Sequence, residues 1–244
     1  MSRRRGDDST LAGRIAVAAA ALRRGGVIAY PTETYYGLGA LASDGAAVER
    51  PLRAKQRPDG KALPLLGADL AQLEAVAEFS PLARRLAAAF WPGPLTLVLP
   101  AHPGLHASIT GGGGTVGVRV TSSEAAKALA AAAGGALVAT SANPSGAAPP
   151  TTAAGIDPAL RARLDGVLDG GTTPGGAPST VVAVLGGRLE LLRAGAVAVE
   201  ALQALAGAEL DWRDGPAEPA ARAGLEPGGG PEPAAAGVGP SRTP

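Results

Sequence analysis

The regular alternation of short apolar runs with helix-forming segments constrains the fold most strongly. The connections between them are short through the first two thirds of the 244-residue chain. This order predicts an α/β domain whose central sheet carries functional loops at its strand ends. Two late apolar runs, residues 180–185 and 189–192, flank Gly186 and Gly187 and predict a hairpin. Because a hairpin pairs antiparallel strands, we expect a mixed sheet rather than a purely parallel one.

Capping residues and helix breakers predict where the helices begin and end. Thr10 is suited to cap a helix over residues 11–24, which Gly25 would end. Asp44 is suited to cap a second helix, in which Pro51 should introduce a kink or mark the true start. The remaining predicted helices cover residues 69–79, 81–90, 124–133, 158–164 and 199–206.

Apolar runs bounded by proline, glycine or polar residues predict the strands. Pro31 should end the first of them, because proline cannot donate to a sheet ladder. From Thr32 onward we expect a turn that closes in a bend at Gly37 and Gly39. Besides the hairpin, strands are predicted over residues 27–30, 63–66, 95–99, 116–120, 137–140 and 167–168.

Domain organisation follows from where the periodicity lies. Residues 11–206 carry every predicted element and are expected to form one domain. Residues 1–10 and the Pro-, Gly- and Ala-rich segment 214–244 lack periodicity, so both are predicted to be disordered.

Charge and composition exclude several classes of protein. A net charge of +1 argues against a general nucleic-acid coat protein, which would be strongly basic, but leaves room for a local basic cleft. The absence of cysteine excludes disulfides, thiolate metal sites and a cysteine nucleophile, and suits a cytoplasmic protein. No apolar run is long enough to span a membrane, so we expect no membrane partner.

Polar residues cluster where the predicted strands meet loops. The loop after the second helix holds two of the chain's three lysines and an arginine within seven residues. In an α/β domain such junctions converge on one edge or face, and several cations with hydroxyl groups suit a polyphosphate. The candidate residues are Thr32, Thr34, Lys55, Arg57, Lys61, Thr115, Arg119, Ser141, Asn143, Ser179, Thr180 and Arg193.

Each of these features also has an ordinary structural explanation. A basic helix end is commonly a solvated C-terminal turn favoured by the helix dipole, and residues 141–146 are all of types found in turns. The glycine run 111–114 lacks the Gly-Lys-Ser/Thr of a P-loop. His102 and His106 lack a third metal ligand nearby.

Several motifs nevertheless occur together in a characteristic order, namely YPTETYYGLGA, KQRPDGKALPLL, FWPGPLTLVLP, TVGVRV, TSANPSG, GGAPSTVV and LLRAG. Over about residues 11–206 this series closely resembles the YrdC-type L-threonylcarbamoyladenylate synthases, in their short, single-domain form. The resemblance implies a YrdC-like catalytic domain, an α/β fold with a twisted mixed sheet flanked by helices around a basic cavity.

The resemblance also implies a reaction. L-threonine, bicarbonate or carbon dioxide, and ATP would give threonylcarbamoyl-AMP and pyrophosphate. A partner threonylcarbamoyl transferase would then modify the adenosine beside the anticodon of tRNAs that read codons beginning with A. It leaves open whether tRNA itself is bound. Mg²⁺ is expected to enter with ATP and to bridge its phosphates with few protein ligands.

The resemblance implies a role for each residue that matches a position of the family's motifs. Lys55 and Arg57 match the catalytic basic loop that handles the ATP phosphates. Thr34, Arg119 and Ser179 match positions that hold threonine, with Arg119 on its carboxylate, which suits the fork-like geometry of a guanidinium.

The remaining matches concern the nucleotide. Lys61 belongs to the same basic loop as Lys55 and Arg57. Ser141 and Asn143 match an SxN element that contacts the nucleotide. Thr115 and Arg193 would line the cavity, with Arg193 near phosphate.

The chain departs from the family pattern at several places. Pro51 stands where relatives usually continue a helix, and Leu66 where some place a polar residue of the threonine site. Ala62, Thr121 and Ala194 each replace a proline. None of these changes removes a cation, but the first two bear on the geometry of the basic loop and on the contacts to threonine.

Two other functions stay open at this stage. One is a nucleic-acid binding module, against which the near-neutral net charge and the few aromatic residues count. The other is a carbamoyl-transfer module like the related domain of hydrogenase maturation factors. That domain normally lies in a much longer chain with zinc-finger-like cysteines, which this chain lacks.

Overall fold

The computed structural model describes residues 10–55 and 62–206. The segments predicted to be disordered, 1–10 and 214–244, lie outside the described residues except for Thr10. Within the described ranges, no helix has the length and apolar character needed to cross a membrane.

The helices begin where side-chain caps are available. Thr10, Asp44 and Ser80 each accept a hydrogen bond from the backbone N–H three residues ahead, as their types predict. The helices are α1 (Leu11–Leu22), α2 (Gly45–Lys55), α3 (Leu70–Glu74), α4 (Pro81–Phe90), α5 (Ala107–Thr110), α6 (Glu124–Ala133), α7 (Pro158–Arg161) and α8 (Val199–Ala206). Of these, α5 was not predicted.

The strands form two mixed sheets, where the sequence predicts one. They are β1 (Ile28–Pro31), β2 (Tyr36–Gly39), β3 (Leu65–Gly67), β4 (Leu95–Pro100), β5 (Thr115–Val120), β6 (Leu137–Val138), β7 (Thr140–Ser141), β8 (Gly166–Val167), β9 (Thr180–Leu185) and β10 (Arg188–Arg193). One sheet has the order β7–β2–β1–β8 and the other β10–β9–β4–β5–β3–β6. The mixed α/β architecture and the β9–β10 hairpin are confirmed.

The predicted bend at Gly37 and Gly39 is wrong. Both glycines lie in β2, which pairs antiparallel with β1. Their side of the strand faces the ring of Tyr30, and a Cβ on Gly39 would lie only 2.7 Å from Cε1 of that ring. The glycines therefore admit a buried aromatic ring against the backbone rather than turning the chain.

One of the two alternatives for Pro51 and the predicted end of the third helix are wrong. α2 runs unbroken through Pro51, so Pro51 does not mark its start. Pro51 and Leu52 are buried on the packed face of α2, and that packing offsets the lost backbone hydrogen bond, which costs about 3 kcal/mol in a helix interior. α3 ends at Glu74 because the next residues pair with the end of β4, where Glu78 N donates to the Pro100 carbonyl.

The predicted strand over residues 137–140 is divided between the two sheets. Its first part, β6, pairs with β3, and its second part, β7, pairs with β2. Val138 N also donates to the Ala40 carbonyl at 2.9 Å, so this segment joins the sheets to each other. The residues after β7 are thereby held beside the β1–β2 hairpin.

Alternation along β5 separates the core from a polar face. Val116, Val118 and Val120 are buried in the main hydrophobic core. Since successive side chains of a strand point to opposite faces, Thr115 and Arg119 project from the other face. This polar face of the six-stranded sheet carries much of the site described below.

Candidate functional site

The β1–β2 turn is built around the hydroxyl of Thr32. Its Oγ1 accepts from the backbone nitrogens of Thr34 and Tyr35, at 3.2 and 3.3 Å, and donates to the Tyr35 carbonyl at 2.7 Å. Threonine is suited to such local bonding. The turn places the Thr34 hydroxyl 3.3 Å from that of Thr32 and directs Glu33 toward β5.

Arg119 forms an ion pair with Glu33. Its Nη1 lies 2.7 Å from Glu33 Oε1, and both side chains are only 11% exposed. The hydroxyl of Thr121 donates to the other carboxylate oxygen. The charge at the end of an apolar strand is therefore partly desolvated and paired, which strengthens the electrostatic interaction.

Arg193 and Ser179 form a second group on the same sheet. Arg193 Nη2 donates to the Ser179 carbonyl at 2.8 Å and to its hydroxyl at 3.1 Å. The Ser179 hydroxyl also lies 3.0 Å from that of Thr96 on β4. The pairing of β10 with β9 shifts between Leu191 and Arg193, a bulge that re-aims the arginine side chain.

The two arginines influence each other. Burial lowers the pKa of Arg193, and the positive charge of Arg119 lowers this pKa further. Glu33 pairs with Arg119 alone, so the two guanidinium groups leave an excess of positive charge, which an anionic ligand would neutralise.

Lys55 joins the last turn of α2 to the segment after β7. Its ammonium donates to the Ser141 carbonyl and lies 3.3 Å from the Ser141 hydroxyl and 3.4 Å from Asn143 Oδ1. Asn143 in turn donates from Nδ2 to the carbonyls of Pro144 and Ala147, which fixes the turn. Three predicted site residues are thus brought together.

The β1–β2 hairpin connects the Lys55 group (Lys55, Ser141 and Asn143) with the Arg119 group (Arg119 and Glu33). Ser141 pairs with Gly37 on β2, and a Cβ on Gly37 would lie 3.6 Å from the Thr32 methyl group. Thr32 therefore lies between the Lys55 group and the Arg119 group.

Other predicted residues lie farther away or are not described. Thr115 begins β5, four residues before Arg119, which separates them by about 13 Å along the strand. Arg57 and Lys61 lie outside the described residues. Thr180 is turned into the core, where its hydroxyl donates to the Val197 carbonyl at 2.7 Å.

Two contributors were missed in the sequence analysis. Glu33 lies between the two threonines of the YPTET motif, and that position was the available signal. Thr96 lies within an apolar strand and gave no local signal, because its role depends on pairing with a distant segment.

The loop over residues 169–176 covers the turn and is held by tyrosines. The Tyr36 hydroxyl donates to the Gly171 carbonyl at 2.6 Å, and the Tyr35 hydroxyl to the Gly176 carbonyl at 2.7 Å. Burial raises the pKa of Tyr36 above its usual value. Tyr36 therefore anchors this loop through its hydroxyl.

The histidines make local contacts. His102 Nε2 lies 3.0 Å from the Glu74 carbonyl, and His106 Nδ1 accepts from Ser108 N at 3.2 Å. Among residues 10–55 and 62–206, no group of three or more His, Cys, Asp or Glu residues could hold a metal ion.

Fold and site together define an α/β protein whose strand ends carry a cluster of cations, an arrangement suited to an anionic ligand. The sequence model of the Sua5, YciO and YrdC proteins, described as "Telomere recombination", matches residues 20–195. The chain therefore belongs to the Sua5/YciO/YrdC family, and the resemblance seen in its motifs is confirmed.

Curated relatives are named threonylcarbamoyl-AMP synthase. The protein from Pyrococcus abyssi is 40% identical over 195 residues, and the one from Bacillus subtilis 41% over 196. These matches cover 80% of this chain but only 57% of each relative, so the chain spans little more than half their length. The Stenotrophomonas maltophilia relative is 43% identical over 175 residues, which is 70% of this chain and 94% of the relative.

Solved structures support the fold. P. abyssi Sua5 complexed with L-threonine aligns with a TM-score of 0.76 and 40% identity, over 82% of this chain and 58% of that chain. E. coli YciO aligns with a TM-score of 0.67 and 30% identity, over 78% of this chain and 92% of that one.

Proposed function

We propose that this chain is an L-threonylcarbamoyladenylate synthase. It would convert L-threonine, bicarbonate and ATP into threonylcarbamoyl-AMP, pyrophosphate and water. The observation that carries the proposal is that two guanidinium groups lie on the polar face of the six-stranded sheet, Arg119 paired with Glu33 and Arg193 bonded to Ser179. Two guanidinium groups on one face of a sheet favour a ligand that carries carboxylate and phosphate groups.

The chemistry suits a site without a protein nucleophile. A carbamate formed on the threonine nitrogen would attack the α-phosphorus of ATP, and pyrophosphate would leave. Such a step depends on in-line placement and on neutralisation of charge more than on covalent catalysis. Lys55, held at a defined position by Ser141, can supply a fixed positive charge for phosphate.

Threonine would bind around Arg119. The guanidinium would hold the carboxylate, while Thr34 and Ser179 would reach the amine or hydroxyl. Support comes from the Sua5 structure, which is described as complexed with L-threonine. Leu66, which pairs with Arg119 across the sheet, adds an apolar neighbour rather than a further polar contact.

ATP would occupy the side of the site nearer α2. Lys55, Arg57 and Lys61 would contact its phosphates, and Ser141 and Asn143 its nucleoside. Thr115 and Arg193 would line the path between. Mg²⁺ would be held chiefly by the phosphates themselves, which supply the oxygen ligands it prefers and neutralise its charge.

The product would pass to a threonylcarbamoyl transferase that acts on tRNA. A mixed anhydride of a carbamate and AMP hydrolyses readily, so a transferase in the same compartment must consume it. We place both proteins in the cytoplasm, where tRNA and ATP are available, and leave direct binding of tRNA as a separate question.

The test is pyrophosphate release from ATP with bicarbonate, with L-threonine, with L-serine and without amino acid. We expect release to require the amino acid, and serine to be poorer by about 1–3 kcal/mol through loss of one methyl group. Mass spectrometry should detect threonylcarbamoyl-AMP. Arg119→Ala, purified in the same way, controls for contaminating ATPases. Release that does not depend on threonine would contradict the proposal.

No second function has comparable support. HypF, crystallised in a phosphate- and nucleotide-bound form, aligns with a TM-score of 0.64 but only 21% identity, over 75% of this chain and 29% of that one. That likeness shows the fold alone. RNA binding that weakens with salt, without ATP turnover, would favour a nucleic-acid module instead.

A further inference from the structure

The carboxylate of Glu33 lies against Arg119 in the site and has no role in the mechanism above. Its side chain is nearly buried, and its Oε1 lies 2.7 Å from Arg119 Nη1. Burying a carboxylate is costly unless it is paired and hydrogen-bonded. Because hydration by water does not account for a carboxylate at this buried position, its presence points to a function in the site.

Only one carboxylate oxygen is hydrogen-bonded. Oε2 accepts the hydroxyl proton of Thr121, whereas the buried Oε1 lies in an ion pair with Arg119 but accepts no hydrogen bond within the described part of the chain. Thr121 is fully buried, and its Oγ1 also accepts from Ser123 N at 3.1 Å. Ser123 caps α6 and donates from its hydroxyl to the Pro31 carbonyl. The carboxylate is therefore fixed between β1 and the start of α6.

We infer that Glu33 is a specificity-determining residue that receives the α-ammonium group of the amino acid while it keeps Arg119 in position. A guanidinium has five N–H donors, so Arg119 can pair with Glu33 and still donate hydrogen bonds to a substrate carboxylate. The paired charges present a positive and a negative group side by side. A zwitterionic α-amino acid presents the complementary arrangement, whereas a simple hydroxy acid does not.

This inference rests on the proposed function, since it assigns the amino-acid part of the same site. It differs from a blocking role, in which the substrate carboxylate would displace Glu33 from Arg119. The two roles have opposite consequences. Removing the charge of Glu33 would weaken threonine binding in the first case and strengthen it in the second.

The experiment is isothermal titration calorimetry in the presence of a saturating non-hydrolysable ATP analogue. L-threonine and its deaminated analogue, 2,3-dihydroxybutanoate, are titrated into the wild-type protein, Glu33→Gln and the control Glu78→Gln. Gln can still accept the Thr121 hydrogen bond but carries no charge. Glu78 is exposed and lies four residues after the end of α3, and its substitution removes one carboxylate in the same way.

We expect wild-type protein and Glu78→Gln to bind threonine at least about tenfold more tightly than the deaminated analogue, as for loss of one charge-assisted contact. Glu33→Gln should lose most of that preference and bind the ATP analogue as the wild type does. Unchanged or tighter threonine binding by Glu33→Gln would overturn the inference.

Two further outcomes are informative. If the wild-type protein binds neither threonine nor its analogue, the proposed function fails together with this inference. If Glu33→Gln does not fold, the wild-type comparison decides alone, because equal affinity for threonine and the deaminated analogue would mean that no group recognises the ammonium.

Discussion

Lys55 ends α2 with its ammonium group against the backbone carbonyl of Ser141, the last residue of β7. The lysine is only 5% exposed, and the carbonyl oxygen together with the nearby Ser141 and Asn143 side chains limits its motion. A flexible point charge is thereby fixed beside the turn that follows β7. Lys55 is therefore placed to bind a phosphate group, and it is not an exposed basic residue at a solvated helix end.

Lys55→Ala should therefore reduce ATP-dependent pyrophosphate release strongly. The loss of a buried charge-assisted contact is expected to cost about 2–3 kcal/mol of transition-state stabilisation, close to a hundredfold in rate. The matched control is Lys127→Ala, which removes a lysine from α6 away from the Ser141 turn. Equal turnover by the two variants would count against the assignment of Lys55.

Tyr30→Phe should change how stability depends on alkaline pH. Burial raises the pKa of Tyr30 above its usual value of about 10, so the folded protein holds this proton more tightly than the unfolded chain. The resulting stabilisation is complete below about pH 10 and is lost as the pH rises above it. The phenylalanine variant lacks this ionisation, so its free energy of unfolding should fall less steeply there.

The same variant loses the hydrogen bond from Tyr30 to the Val138 carbonyl. It should be less stable at neutral pH by about 1–2 kcal/mol. Denaturant unfolding at pH 8 and at about pH 10.5 measures both effects. Parallel loss of stability in the two proteins across this pH range would show that Tyr30 does not govern it.

Local signals explain why much of the fold could be predicted. Thr10, Asp44 and Ser80 cap helices through bonds to residues three positions ahead, and Gly186 and Gly187 close the hairpin between neighbouring strands. Such features depend on a few consecutive residues. They are therefore visible in the sequence without knowledge of the tertiary structure.

The rest depends on contacts between distant segments. Gly39 is required by the ring of Tyr30, and Arg119 is paired with Glu33, a residue far away in the chain. The sequence indicates that a charge at the end of an apolar strand needs a partner, but it does not say which one. Arg119, Ser141 and Ser179 were recognisable because their motifs resemble a known family, and not because of spacing alone.

Gly195→Ala should disturb the segment that carries Ser179. A Cβ at this position would lie 2.3 Å from the Pro178 carbonyl oxygen and 2.5 Å from the carbonyl carbon of Ser179. The backbone must shift to relieve this overlap, at an expected cost of about 1–3 kcal/mol in stability. Because Arg193 is bonded to Ser179, the use of threonine should fall as well.

Thermal unfolding and the apparent threonine constant measure the two effects. Gly135→Ala is the matched control, since its Cβ would meet Leu41 at an ordinary contact distance of 3.5 Å. If Gly195→Ala melted like Gly135→Ala, the close approach of the two segments would not be required for folding.

Arg119→Lys should weaken the use of threonine but not the binding of ATP. Lysine keeps a positive charge near Glu33 but cannot present the planar fork that holds two carboxylates at once. We therefore expect the apparent threonine constant to rise by about tenfold or more, while the affinity for ATP changes little. The measurements are threonine-dependent pyrophosphate release and calorimetric titration with ATP. Arg84→Lys, at an exposed ion pair with Glu74, is the matched control. If Arg119→Lys abolished ATP binding and left the threonine constant unchanged, Arg119 would belong to the nucleotide side of the site.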